Sequence, residues 1–261
     1  FIIETTFSGH AKDLANQLDL TNYDGFIGIG GDGTLHEITN GMLSRPDGIK
    51  IPIGLIPGGS GNSYIHDLGL TDPLKAAKVI TRGKTCLVDT ARVEVNHVVK
   101  YANNMVGWGL VTDVGNKAEH FRWLGTNRYT ILCVMEVLRH KNRSATLIMN
   151  DKKIEDEFTF IIACNSIHVG KGMKMAPKAK LDDGLIDLIV VRAGATRKRL
   201  LQVLPKLFDG THIHEPEVSY YQTSQFSLQP EQNVTLNIDG EIMGSTPIKV
   251  KMIPKIIEIF S

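Results

Sequence analysis

Two short apolar runs, each closed by clustered glycines and followed by a helical pattern, constrain this chain more than any other feature. The first is FIGIGGDGT, Phe26–Thr34, and the second is IPIGLIPGGSGN, Ile51–Asn62. Apolar runs of this length bounded by glycine read as buried strands. TLHEITNGML, after the first, sets Leu35, Ile38 and Met42 on one helical stripe. FIIET (Phe1–Thr5) reads as another strand. AKDLANQL (Ala11–Leu18) puts Ala11, Leu14, Ala15 and Leu18 on one helical face. DPLKAAKVI (Asp72–Ile80) reads as a helix with Asp72 as N-cap and Pro73 in its first turn. This alternation predicts an α/β, Rossmann-like domain with a parallel sheet and helices on both faces.

After about Lys84 the pattern changes. LVDTARVEVN and KYANNMVGW alternate like antiparallel strands, and Leu124–His140 reads as one longer helix. SATLIM, EFTFIIAC, GLIDLIVV, EVSYYQTSQFSLQ, NVTLNID, PIKVKMI and IIEIF then read as strands. They are interrupted by a helix over Thr196–Phe208 whose end Pro205 kinks. Runs of strands predict a second, antiparallel β-sandwich domain. The boundary falls within 83–90, giving domains 1–85 and 86–261. The sequence starts at Phe1 rather than Met, which leaves room for a first strand that this sequence lacks.

Net charge is +1 over 261 residues, so no global field draws the chain to nucleic acid. Cys86, Cys133 and Cys164 are odd in number and form no CxxC, which predicts buried thiols in a reducing compartment. No apolar run approaches the roughly 18 residues of a membrane span. His10, His66, His168, His212 and His214 show no metal-ligand spacing with acidic partners, and His36 reads as a packing or orienting residue.

Ligands bind at the carboxyl ends of parallel strands, where both Gly-rich loops lie. Gly30, Gly31 and Gly33, then Gly58, Gly59, Ser60 and Gly61, let backbone amides approach phosphate closely. The helix starting near Thr34 adds its partial positive charge. Asp32 does not suit a pure anion cradle. It caps the helix, holds Mg²⁺ on a nucleotide, or accepts a proton from a hydroxyl being phosphorylated. Neither a dinucleotide fingerprint nor a Walker A motif is present.

At these residues the sequence resembles the catalytic domain of diacylglycerol and sphingosine kinases. GGDGTLHE and PGGSGN carry the resemblance, with TTFSGHA (Thr5–Ala11) upstream, FRWLGTNRY (Phe121–Tyr129), APKAKLDDGLIDL (Ala176–Leu188) and NIDGE (Asn237–Glu241). The motifs occur in the family's order and span nearly the whole chain. The resemblance implies an ATP-dependent lipid kinase. Thr5, Thr6, Gly9, Gly31, Gly33, Thr34, Glu37, Gly59, Ser60 and Gly61 would line the ATP site. Arg122 and Arg128 would reach the phosphates. Asp239 and Gly240 would complete the nucleotide contacts. Asp32 would be the general base, with Glu241 beside it as a second acid/base candidate. Asp183, with backbone oxygens of Lys180 and Leu185, would hold a structural Mg²⁺.

The resemblance further implies a lipid substrate taken from a membrane surface, hence a cytoplasmic protein with peripheral membrane association. Basic stretches at Lys171–Lys180, Arg197–Arg199 and Arg139–Arg143 would favour anionic lipid. Two departures stand out. The family's opening strand and Asn-Pro loop are absent from this sequence. The acidic residue near TDVG that holds the lipid head in sphingosine kinases aligns with Gly115, Asp113 lying two residues earlier. Diacylglycerol, a sphingoid base, ceramide or another lipid alcohol all stay open. An NAD kinase, which shares GGDGT, is the second enzymatic reading, although the HE after GGDGTL and the PGGSGN loop fit lipid kinases better. A catalytically silent lipid- or nucleotide-binding module is the third.

Overall fold

The structure is a computed structural model. It describes residues 1–59, 61–120, 128–139, 141–150, 152–170 and 172–261, with backbone alone at 118–120 and 128–130. The first half runs α1 (His10–Gln17), β1 (Phe26–Gly30), α2 (Asp32–Leu43), β2 (Ile53–Pro57), α3 (Ser63–Asp67) and α4 (Pro73–Arg82). β1 and β2 pair in parallel, Phe26 opposite Ile53 through Gly30 opposite Pro57. Asp72 caps α4 as expected, its carboxylate accepting Lys75 N–H at 2.7 Å.

The second half begins with β3 (Thr85–Val95), β4 (Val98–Ala102) and β5 (Met105–Gly109), then α5 (Leu110–His120) and α6 (Arg128–Arg139). β6 (Arg143–Met149), β7 (Lys152–Cys164) and β8 (Ile186–Arg192) follow, then α7 (Arg197–Val203). The chain ends with β9 (Val218–Thr223), β10 (Gln225–Pro230), β11 (Thr235–Ile238), β12 (Glu241–Ser245) and β13 (Ile248–Phe260). Antiparallel ladders join these strands, and their inner faces bury a core that includes Trp108, Phe158, Leu147 and Leu236.

β13 links the two halves. β3 pairs antiparallel along it from Ile248 to Phe260, β10 pairs with its first residues, and near its end Ile259 also pairs in parallel with Ile53 of β2. Ile257 and Ile259 therefore pack in the first core with Leu35, Ile38 and Leu55.

Several local expectations are corrected. Residues 1–5 form no strand, and Phe1 and Ile2 are exposed. Among the described residues no strand pairs with them to satisfy their backbone. EVSYYQTSQFSLQ is two strands, because Thr223 Oγ1 donates to Gln225 C=O at 2.7 Å and bends the chain at Ser224. The bend moves the chain from β8 to β6 and β13. PIKVKMI and IIEIF are one strand with an irregularity between Ile253 and Ile257. KYANNMVGW is split into β4 and β5 at Asn103–Asn104. The predicted helix end at Phe208 holds as α7 plus a 3₁₀ turn over Leu204–Leu207 that starts at Pro205's turn. Of the three thiols, only Cys164 is fully buried.

Candidate active site

The two Gly-rich loops meet backbone to backbone. Gly58 N–H donates to Gly30 C=O at 2.8 Å. A Cβ on Gly59 would stand 2.6 Å from the Gly31 Cα. No side chain fits there, and this contact is what requires glycine at both positions. α2 begins immediately after it. The first N–H groups of a helix have no partner within the helix, which suits this end to an anion.

Asp32 resolves its alternatives in an unexpected way. It does cap a helix, but not its own: α2 has Gly31 as N-cap with no side-chain bond. Instead the Asp32 carboxylate accepts Ser63 N–H at 2.9 Å and Tyr64 N–H at 3.0 Å, the first turn of α3. The carboxylate thus clamps the second loop to the first. Burial raises its pKa above the ordinary aspartate value, against the opposing pull of those two N–H bonds. The Asp239 charge pushes the same way.

Glu37 sits one helical turn along α2 and faces another way. Its carboxylate accepts Gly9 N–H at 2.8 Å and Ala11 N–H at 3.1 Å, capping α1. Gly9 is left-handed, at φ 93°. Thr5 and Thr6 precede it on the surface, and Thr6 N–H donates to His10 Nδ1 at 3.1 Å. Glu37 therefore holds the Thr5–Gly9 segment to α2. Thr34 folds back over Gly30, and Gly61 lies against Asp32.

The third component arrives from the far end of the chain. Asp239 and Gly240 form the two-residue turn between β11 and β12, with φ of 53° and 95°. Asp-Gly suits this left-handed pair. The Asp239 carboxylate is buried and accepts N–H from Asn103 (2.8 Å), Asn104 (2.8 Å) and Met105 (2.9 Å). A fourth partner is His36 Nδ1 at 2.9 Å, so His36 orients as expected. Gly240 N–H donates to Asn237 Oδ1 at 2.9 Å. Glu241, next in the chain, is exposed, and its Oε1 lies 3.7 Å from where a Gly33 Cβ would be. The hairpin thus sets a carboxylate over the start of α2.

The two Gly-rich loops and the β11–β12 turn share one cavity of about 490 Å³, whereas Thr5, Thr6, Gly9 and Glu37 lie outside its wall. Gly31, Asp32, Gly33, Gly59, Gly61 and Glu241 line its polar part. Leu110, Val114, Phe160, Leu200 and Val218 line its apolar part. Cys133 lies in this wall too, and burial pushes its thiol up to about 11. The sequence reading missed this wall, and it also missed α5, which supplies much of it. Val111, Thr112, Val114 and Gly115 are poor helix formers, so α5 depends on packing against β5, β7 and β11.

Ser60 and Arg122 lie outside the described residues, as does the side chain of Arg128, whose backbone starts α6. Lys180, Asp183 and Leu185 lie outside the cavity wall. Asp183 is exposed, and its Oδ1 accepts Leu185 N–H at 3.0 Å. Buried Asp89 shapes this turn by accepting Gly184 N–H at 2.6 Å and Lys255 N–H at 2.7 Å.

A diacylglycerol kinase catalytic domain profile matches residues 1–93. A YegS C-terminal NAD kinase beta sandwich-like domain profile matches residues 104–261, more than half the chain. The chain belongs to the diacylglycerol kinase and sphingosine kinase-like lipid kinase family.

Relatives in this family include sphingosine kinase 1 of Arabidopsis thaliana, 30% identical over 93% of this chain and 61% of that protein. The diacylglycerol kinase of Bacillus subtilis is 29% identical over 93% of this chain and 79% of that protein. A crystal structure of a candidate diacylglycerol kinase from Bacillus anthracis superposes with a TM-score of 0.80 at 25% identity, covering 98% of this chain and 82% of that one. The chain spans about three-fifths of the length of the plant sphingosine kinases it matches.

The structure shows what surrounds the two positions at which an acidic lipid-head residue would be expected. A Cβ on Gly115 would stand 2.5 Å from Asn237 Nδ2 and 3.0 Å from Ile242 Cδ1. Glycine here lets α5 lie directly on the β11–β12 hairpin, and an acidic side chain has no room. Asp113 is already engaged by Arg143, whose Nη2 donates to both carboxylate oxygens at 2.9 and 2.8 Å.

Proposed function

We propose that this chain is the catalytic core of an ATP-dependent lipid kinase that phosphorylates a lipid hydroxyl. One observation carries the reading: a phosphate-type cradle of glycine backbone and a helix N-terminus opens into the same cavity as an apolar wall, with Asp32 and Glu241 at the junction. A soluble dinucleotide has no use for such a wall, whereas an alkyl or acyl chain does.

In this reading Thr5, Thr6, Gly9, Gly31, Gly33, Thr34, Gly59 and Gly61 bind ATP, and Glu37 shapes the site by holding Gly9. Asp32 accepts the hydroxyl proton. Its raised pKa matches it better to that role than an ordinary aspartate, while its two backbone bonds fix its position. Glu241 is the second carboxylate of the site, and Asp239 and Gly240 hold it there. Little covalent work is asked of the protein: positioning and charge stabilisation supply most of the rate. When bound with the nucleotide, Mg²⁺ would supply charge neutralisation on the phosphates. We assign a structural Mg²⁺ to exposed Asp183 with the backbone oxygens of Lys180 and Leu185, donors of the type a hard cation takes.

We further propose a cytoplasmic protein that docks on membranes peripherally. Exposed Lys174, Lys178, Arg197 and Lys198 flank cavity-lining Met173, Met175 and Leu200 in the chain. Near an anionic bilayer each charge is worth about 1 kcal/mol. Among the described residues no helix is long and apolar enough to cross a membrane.

The test is a radiolabelled-ATP assay over diacylglycerol, sphingosine, ceramide and monoacylglycerol vesicles, with NAD as a parallel acceptor and products identified by mass. A phosphorylated lipid supports the reading. Phosphorylation of NAD alone replaces it with a small-molecule kinase, and ATP binding without any turnover replaces it with a silent module.

A further inference from the structure

Outside the cavity, the fold assembles a group that the sequence keeps apart. Among the described residues, His66, Asp67 and His168 are the one cluster of three metal-binding side chains whose ligand atoms all lie within 4.8 Å of one another. Sequence spacing gives no hint of it, since Asp67 and His168 are 101 residues apart. We propose that these three residues bind one divalent transition-metal ion of the zinc type.

Two imidazoles and a carboxylate form a donor set that zinc takes in three-ligand sites, with the fourth position left to water. The two rings are in contact, their centroids 4.1 Å apart and tilted by 44°. The scaffold is assembled before any ion arrives. Asp67 Oδ2 accepts Ile167 N–H at 2.5 Å, and Ser63 Oγ donates to Gly170 C=O at 2.8 Å. These bonds hold both ends of α3 against the 166–170 segment, so little ordering cost is left for binding. Asp67 Oδ1 meets His168 Nδ1 directly, so the carboxylate already stands against that ring. The side chains of Asp67 and His168 are buried, whereas His66 is exposed, which gives the ion a route from solvent.

Metal ligands of this kind bind in their deprotonated form, so affinity falls in acid. Imidazole donors favour zinc and cobalt over magnesium, which separates this site from any Mg²⁺ on a nucleotide. Its position gives it a consequence for the active site. α3 begins on Asp32, and Val169 and Gly170, next to His168, line the cavity. An ion here ties the second Gly-rich loop to the cavity wall.

The full chain, stripped with EDTA and dialysed, would be titrated with Zn²⁺ by calorimetry and with Co²⁺ by visible absorption, with Tm followed in parallel. The expected result is one ion per chain, a raised Tm, and Co²⁺ bands characteristic of nitrogen and oxygen ligands. His66→Gln should weaken binding at least ~10-fold and leave the metal-free Tm unchanged, because that ring is exposed. His168→Gln should weaken binding too, but its buried ring makes the His66 variant the cleaner comparison. Absence of saturable Zn²⁺ binding, unchanged affinity in His66→Gln, or equal affinity for Mg²⁺ would each overturn the proposal.

Discussion

His36 and Asp239 lie 203 residues apart in the chain, and their side chains meet at 2.9 Å in the interior. His36 sits on the helix that begins at Asp32, and Asp239 begins the turn that carries Glu241. One bond thus fixes the two candidate carboxylates relative to each other.

His36→Ala should remove Asp239's only side-chain donor among the described residues and cost about 1–3 kcal/mol. His36→Asn should recover part of the loss, since its amide nitrogen stands about where Nδ1 stood. Thermal unfolding measures the first effect. Turnover under saturating substrates measures the second, and a drop in kcat beyond the loss of folded protein marks the positioning role.

Asp32→Asn should lower lipid phosphorylation by about 10²–10⁴-fold, the usual contribution of a general base. ATP binding, read by calorimetry, should persist. Near-normal turnover in this variant would transfer the base role to Glu241, for which Glu241→Gln is the companion measurement.

Asp32 also makes stability depend on pH. Its folded pKa lies above its unfolded one, so the folded state holds the proton more tightly. That contribution is fully present below the ordinary value of 3.8 and is lost as pH rises through the raised folded value. The wild type should therefore gain stability relative to Asp32→Asn as the pH falls through that window. Turnover should fall over the same range, as the base becomes protonated. Denaturant melts and rate profiles at matched pH check both.

Gly115→Asp should not create a lipid-head contact. Its side chain collides with Asn237 and Ile242, and overpacking of this kind costs about 1–3 kcal/mol. Asn237 also holds Gly240, so activity should fall further than stability. Comparing Tm with kcat/KM in Gly115→Ala and Gly115→Asp separates the two losses.

Val114→Trp should fill the apolar part of the cavity without touching the glycine loops. The expected outcome is a raised KM for long-chain lipid with unchanged ATP affinity. Equal inhibition with short-chain and long-chain lipids would remove the apolar wall from the substrate path.

Features fixed by local chemistry were legible in the sequence. Asp239–Gly240 was readable as a turn because few other pairs accept two left-handed residues in succession. The two Gly-rich loops were readable because glycine clusters after apolar runs have few other uses. What stayed hidden depends on distant partners. Asp32 read as a cap for the helix next to it, yet its partners are 31 and 32 residues away. The helix at Leu110–His120 carries β-branched residues and a glycine that tertiary packing overrides. His66 and His168 become neighbours only when α3 docks against the 166–170 segment.

The pairing of Ile259 with Ile53 also sets a clock on synthesis. β2 emerges from the ribosome early, but its parallel neighbour is made some 200 residues later, a wait on the order of 10–40 s at ordinary elongation rates. Throughout that interval the apolar edge of β2 has no strand to cover it. The nascent first half therefore carries an uncovered strand edge until β13 is made, and a polypeptide ending before β13 would leave both halves unfinished.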